Sequence, residues 1–113
     1  MTDVPIFAAE IKIVNDESFG MHFECSEKYA GYISDHLHKE NFRCSAPSIE
    51  IQGTRNIHSY VKVTVEGKEF QRLRDTIKGF CKSRGADLSE EKLTYPGEET
   101  VTLNLHNVSV FDK

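Results

Sequence analysis

The chain has 113 residues, of which 38% are hydrophobic and 28% charged, and its formal net charge is -4. This length and composition predict one soluble globular domain, residues 1–113, that can bury its own core, and they exclude a fibrous or disordered chain. No apolar run approaches the roughly 18 residues that a membrane span needs. The N-terminal residues lack the basic segment of a signal peptide, so we expect a cytoplasmic protein.

The net acidity argues against a dedicated nucleic-acid binder, because such domains usually carry positive charge that releases counterions from phosphates. The three cysteines, Cys25, Cys44 and Cys81, are an odd number without a recognisable spacing. They therefore predict free thiols rather than a disulfide framework.

Alternating apolar and polar residues predict two strands, 7–14 and 19–25, joined by a short polar link that suits a hairpin. The core side of the second strand is predicted to hold Phe19, Met21, Phe23 and Cys25. Ser26 then stands where a helix N-cap belongs, and residues 27–40 have helical apolar spacing. The first third of the chain thus predicts strand, strand and helix.

The middle of the chain predicts the same order again. Strands are predicted at 48–53 and 57–67, around the polar turn "GTRN". Residues 68–84 predict a second amphipathic helix, with Gly85 as its C-cap. The apolar face of this helix is predicted to hold Phe70, Leu73, Ile77, Phe80 and Cys81.

After Gly85, residues 86–99 predict an acidic connector with one helical turn beginning at Ser89 and a tight turn at Tyr95-Pro96-Gly97. Residues 100–111 predict a last strand whose alternation changes phase at His106-Asn107, where a bulge or a strand end is expected.

These elements predict an α+β fold: a two-layer sandwich in which a mainly antiparallel sheet of about five strands carries two helices on one face. The order is ββαββαβ. Residues 19–111 fit a ferredoxin-like split strand-helix-strand arrangement, to which the strand 7–14 would add one more strand.

The segment "DHLHKENFRC", residues 35–44, has the composition of a metal site. However, residues two apart on a helix are separated by about 200° around its axis, so His36 and His38 cannot bind one ion together. We predict that His36 flanks the apolar face beside Tyr32, that His38 faces solvent, and that Cys44 belongs to the next segment.

The other three histidines, His22, His58 and His106, come from three different strands and fall on the polar, helix-free side of the alternation. Converging imidazoles there could hold zinc or form a pH-sensitive surface. Polar strand faces also accept histidine at any position, so no metal site is predicted, and these three residues are the candidates if one exists.

Basic residues cluster on the side of the second helix opposite its apolar face. The segment 68–84 carries six basic and two acidic residues, whereas five carboxylates concentrate in residues 87–99. This polarity predicts either a docking surface for phosphate or an acidic partner, or a solvated helix face. The residues predicted for docking are Lys68, Arg72, Arg74, Lys78 and Lys82, with Arg55 as a second contact.

The sequence lacks a glycine-rich phosphate loop, a nucleophile elbow and a helical histidine–glutamate metal motif. The leading hypothesis is a small, non-enzymatic protein-binding module without a cofactor, an adaptor or an inhibitor of the immunity-protein kind. Its segregated charge would steer it to a partner protein. The alternatives are a nucleic-acid-associated protein that docks through the basic helix and a metal-dependent enzyme that uses the strand histidines. Exposed sheet edges would also allow a homodimer.

Overall fold

The fold is described from a computed structural model in which residues 9–46, 48–50 and 60–105 are placed. These residues form six strands and two helices. The elements are β1 (Ala9–Asp16), β2 (Gly20–Ser26), α1 (Glu27–Lys39), β3 (Ser48–Glu50), β4 (Tyr60–Val65), α2 (Phe70–Ser83), β5 (Leu88–Tyr95) and β6 (Glu98–Leu105). The predicted strands 48–53 and 57–67 extend beyond the described residues. The phase change predicted at His106-Asn107 lies outside them.

All strands form one antiparallel sheet with the order β3-β4-β2-β1-β6-β5. The predicted α+β fold class is confirmed. The connection β2-α1-β3 is a split unit, because β4 lies between its two strands. The first strand lies in the middle of the sheet, between β2 and β6, so it pairs with both of them.

The core lies between the sheet and the two helices, which cover the same face. Alternate residues of the central strands are buried there, among them Ile13, Val63 and, as predicted, Phe23. From the helices, Leu37 of α1 and Leu73 of α2 belong to the same buried cluster. Each fully buried side chain of this size contributes about 1.5–3 kcal/mol relative to exposure, so this layer fixes where the helices sit.

The prediction that Phe19 belongs to the core is wrong, because its side chain is 82% exposed. Asp16 pairs with Gly20, so residues 17–19 form a three-residue hairpin loop. The Asp16 carboxylate accepts the backbone N–H groups of Ser18 at 2.7 Å and Phe19 at 3.1 Å, and Gly20 has a φ of 86°. This turn removes Phe19 from the strand and projects it into solvent.

The sequence predicted the start of α1 and the end of α2. Ser26 occupies the N-cap of α1 as predicted, but its side chain makes no capping hydrogen bond. Its buried Oγ has no protein partner within the described residues. At the end of α2, Gly85 has a φ of 86° and donates to the Lys82 carbonyl, while Ala86 donates to the Cys81 carbonyl. This is a Schellman ending and confirms the predicted C-cap.

The prediction of an acidic connector with a helical turn at Ser89 is wrong, because residues 88–95 form the strand β5. The predicted turn is confirmed: Pro96 and Gly97 join β5 to β6, and Gly97 has a φ of 80°. β5 pairs with β6 over its whole length and is partly or fully exposed at every residue. Since neither face of β5 is fully buried, its sequence has no apolar alternation from which the strand could be predicted.

Within the described residues, neither helix is long and apolar enough to cross a bilayer.

Candidate functional site

The histidines of the segment 35–44 lie apart, as helical geometry predicted. The ring of His36 stacks on Phe80 of α2, with 4.7 Å between centroids and 27° between planes. His38 is exposed. Among the described residues, no group of three or more potential metal-ligating side chains comes together. His36 therefore joins the two helices instead of forming half of a metal pair.

Of the three strand histidines, only His22 lies within the described residues. It sits on the helix-free face of β2, where its Nε2 is 3.0 Å from the Glu24 carboxylate. His58 and His106 lie outside the described part of the chain, so their convergence with His22 stays a prediction. What is placed is a histidine–carboxylate pair on the helix-free face, with 13% of the His22 and 30% of the Glu24 side chain exposed.

Glu24 is surrounded by positive charge. Lys12 of β1 and Lys62 of β4 are its cross-strand neighbours on the two sides. The hydrogen bond to His22 lowers the pKa of Glu24 most; burial opposes this, and the charges of His22 and the two lysines add to the lowering. His22, together with Lys12 and Lys62, thus keeps the carboxylate ionised and compensates its charge, which favours pairing of the central strands.

The three cysteines are free thiols, with Cys25 and Cys81 buried. Burial raises the pKa of both buried thiols to about 12, and at Cys25 the neighbouring Cys81 adds to this effect. Burial also raises the pKa of Cys44. Because the thiolate is the reactive form, these side chains behave as small core residues at neutral pH.

Two of the predicted docking residues on α2 are held by β5. Glu90 projects to the helix side of the sheet, where it accepts hydrogen bonds from Arg74 at 2.9 Å and Lys78 at 2.8 Å. Arg74 also pairs with Asp75 at 2.8 Å. The hydrogen bond from Lys78 is the main cause that lowers the pKa of Glu90, with further lowering from Arg74 and opposition from burial. These cations therefore join two elements of the fold.

A third docking residue, Arg72, points toward the end of α1. Its guanidinium donates to the Glu40 carbonyl at 2.7 Å and lies over the Phe42 ring, 4.4 Å from the centroid. Lys68 and Lys82 are exposed, and Arg55 lies outside the described residues. The predicted basic surface is thus divided: Arg72 faces α1, Arg74 and Lys78 face β5, and the two lysines face solvent.

Exposed large apolar side chains gather at one end of the sheet. Among the described residues, four such side chains are exposed, and three of them are Phe19 at 82%, Leu93 at 53% and Tyr95 at 55%. The fourth, Tyr32, belongs to α1. We call Phe19, Leu93 and Tyr95 the exposed corner.

The two hairpin turns that carry this corner are joined to each other. The backbone N–H of Glu17, in the β1–β2 turn, donates to the Gly97 carbonyl of the β5–β6 turn at 2.8 Å. Leu93 and Tyr95 are two apart on β5, on the helix-free side of the sheet, since they pair with Thr100 and Glu98. The corner is consequently supported by main-chain pairing across the sheet.

Carboxylates surround the exposed corner. A shallow groove of about 210 Å³ runs between the two turns. Its lining consists of Asn15, Glu17, Thr94, Tyr95, Gly97, Glu98 and Glu99. With Glu17, Glu98 and Glu99 in this lining, this end of the sheet is acidic and apolar at once.

The exposed corner was not predicted from the sequence. Two local signals were present: the aspartate–glycine spacing that closes the first turn, and the Pro96-Gly97 turn between two runs of strand-forming residues. If both turns are taken to close hairpins, Phe19 is predicted to be exposed and residues 88–95 to form an edge strand.

No protein-family model, no curated protein and no solved structure matches the chain.

Proposed function

We propose that the chain is a small, cytoplasmic, non-enzymatic protein-binding module that docks on a partner protein through the exposed corner. The observation that carries this proposal is the gathering of Phe19, Leu93 and Tyr95 at one end of the sheet. Exposed large apolar side chains that lie together with a polar rim are typical of interaction surfaces. Aromatic residues are also enriched among those that dominate binding energy.

The charge around the corner supports a partner with a positively charged surface. Glu17, Glu98 and Glu99 line the groove beside Tyr95. Complementary charge speeds encounter and discriminates against acidic partners, while the apolar side chains supply area to bury. An adaptor or an inhibitor of a basic protein fits this combination.

The two alternative functions receive less support. Docking of nucleic acid through α2 would require Arg74 and Lys78 to exchange their contacts with Glu90 for phosphates. A metal-dependent enzyme would require further ligands beside His22, and no group of three or more potential metal-ligating side chains comes together among the described residues. For nucleic acid, only Lys68 and Lys82 of the described docking residues face solvent, whereas the exposed corner is available as a whole in the folded chain.

Quantitative affinity capture from a lysate of the source cell tests the proposal. The wild-type chain is compared with Leu93→Ser/Tyr95→Ser and with a matched surface control, Lys82→Ala, on the opposite layer. We expect a protein that is captured by the wild type and the control and that is lost with the double variant. Capture unaffected by the double variant, or capture of nucleic acid that depends on Lys82, would contradict it.

A further inference from the structure

The strand β5 is an edge of the sheet that is eight residues long. Among the described residues it pairs with β6 and with no other strand. An edge strand presents a row of main-chain N–H and C=O groups to its outer side, and another extended chain can pair with them. Leu93 and Tyr95 of the exposed corner stand on this strand.

The pairing fixes which groups point outward. Tyr95 and Glu98 flank the two-residue turn, so their main chains are hydrogen-bonded to each other. Along an antiparallel pair of strands, hydrogen-bonded and non-hydrogen-bonded residue pairs then alternate. The carbonyl of Gly97 points away from β5 and accepts the N–H of Glu17, just beyond the end of β1, which agrees with this phase. The main-chain groups that point away from β6 belong to Leu88, Glu90, Lys92 and Thr94.

Charge decides which chain fits the edge. A second copy would bring two acidic hairpins together, since Glu90 is compensated by α2 but four other carboxylates of residues 87–99 stand against one lysine. Like charges placed side by side across an interface disfavour association. Glu91 is exposed on β5, and its carboxylate accepts only a long hydrogen bond of 3.3 Å from Asn104 among the described contacts. A chain that carries lysine or arginine complements this edge.

We infer that the outer edge of β5 receives an extended, positively charged segment of a partner protein as an additional strand of the sheet. This inference rests on the proposed function and names its partner chemistry. Main-chain hydrogen bonds to the four outward residues supply affinity, and apolar side chains of the segment pack on Leu93 and Tyr95. The carboxylates select for positive charge.

A synthetic peptide of alternating valine and lysine, with the eight-residue length of β5 and blocked ends, is the probe. Its binding is followed by amide chemical shifts at about 0.15 M salt, where exposed charges are screened beyond roughly 8 Å. We expect the shifts to be largest on β5, and a peptide of alternating valine and glutamate to give none. Two further valine–lysine peptides carry methyl groups on alternate backbone nitrogens, one peptide on one edge of its strand and the second on the other edge. The peptide whose methylated edge faces β5 should lose binding, because it can no longer donate main-chain hydrogen bonds there.

The protein-side test is Lys92→Pro, which removes an outward N–H, with Lys92→Ala as its matched control. Proline is tolerated on an edge strand where its missing N–H faces solvent. We expect Lys92→Pro to weaken peptide binding about tenfold, while Lys92→Ala binds as the wild type does. If the proline variant does not fold, the methylated peptides decide alone.

Several results would overturn strand addition: equal binding of both methylated peptides, equal binding to Lys92→Pro and Lys92→Ala, or shifts centred away from β5. A dimeric sedimentation mass that Lys92→Pro abolishes would place a second copy on the edge and would overturn it as well. If lysate capture depends on Leu93 and Tyr95 but is unaffected by Lys92→Pro, the proposed function stands and strand addition fails.

Discussion

The helix α2 and the strand β5 follow each other in the chain and meet through Glu90, yet they are held in place by different means. Four side chains of α2 are buried, at Phe70, Leu73, Ile77 and Cys81. No side chain of β5 is fully buried. The strand is held instead by main-chain pairing with β6 and by the ion pairs of Glu90.

This difference separates charge that stabilises the fold from surface that can serve a partner. The basic face of α2 looks like a docking surface when the sequence is considered alone, but Arg74 and Lys78 are engaged by Glu90. The acidic segment looks like a connector in the sequence, but it forms a strand that exposes Leu93 and Tyr95 and that pairs on one side only among the described residues. Charge density by itself is therefore a poor guide to an interface, because what lies opposite each charge decides its role.

The largest expected effect is at the buried face of α2. Leu73→Ala removes a side chain that is 0% exposed and leaves a cavity, so we expect the free energy of unfolding to fall by about 3 kcal/mol. Urea denaturation measures the loss. Lys82→Ala, on the exposed face of the same helix, should change it by less than about 0.5 kcal/mol. A loss below about 1 kcal/mol for Leu73→Ala would contradict the view that burial positions α2.

The next effect concerns the turn that places β5. Gly97 has a φ of 80°, and a Cβ there would lie 3.2 Å from the Glu17 carboxylate. We expect Gly97→Ala to lower the free energy of unfolding by about 1–2 kcal/mol, since side chains disfavour this conformation. Gly79 of α2 is the matched control: a Cβ there meets nothing within 4 Å, so Gly79→Ala should stabilise by up to about 1 kcal/mol. Equal effects of the two substitutions would refute this account of the turn.

The sequence predicted those parts of the molecule in which periodicity coincides with burial. Phe23 was placed on the core side by simple alternation, and Leu73 by helical spacing. Phe19 continued the alternation of β2, but the Asp16 turn and Gly20 end that strand before it. Alternation alone does not reveal where a strand stops.

The exposed corner and the Glu90 contacts could not be predicted in the same way. β5 has no buried face, so its strand character depends on pairing with β6 and not on a pattern of its own. Helical spacing correctly placed Arg74 and Lys78 on one side of α2, but it contains no information about the element that lies opposite them. Glu90 is 12 residues from Lys78 in the chain, and only the arrangement of sheet and helix brings the two together.

A smaller, pH-dependent effect is expected at Glu90. Its carboxylate bonds to Arg74 and Lys78, and its pKa is lowered in the folded chain. The contribution is therefore fully present above the pKa of the unfolded chain and is lost as pH falls through the lower folded pKa. We expect Glu90→Gln to cost about 1 kcal/mol near pH 7 and almost nothing near pH 2.

Unfolding of the wild type and Glu90→Gln across this pH range measures the effect. Glu91→Gln is the control, since Glu91 lies on the other side of β5 and accepts one hydrogen bond of 3.3 Å from Asn104. Its cost should be less than about 0.5 kcal/mol at either pH. If Glu90→Gln lowers the free energy of unfolding as much at acid pH as near pH 7, packing and not charge joins β5 to α2.

The smallest effect on stability is expected where the effect on binding should be largest. Leu93 is 53% exposed, so Leu93→Ala should change the free energy of unfolding by less than about 0.5 kcal/mol. If Leu93 packs against a partner, the same substitution should weaken binding of the valine–lysine peptide several-fold, because truncating a buried interface side chain costs about 1 kcal/mol or more. Thermal unfolding and peptide titration of one sample measure both quantities. A variant that loses stability without losing binding would place Leu93 in the fold instead of the interface, and the contrast between α2 and β5 would then disappear.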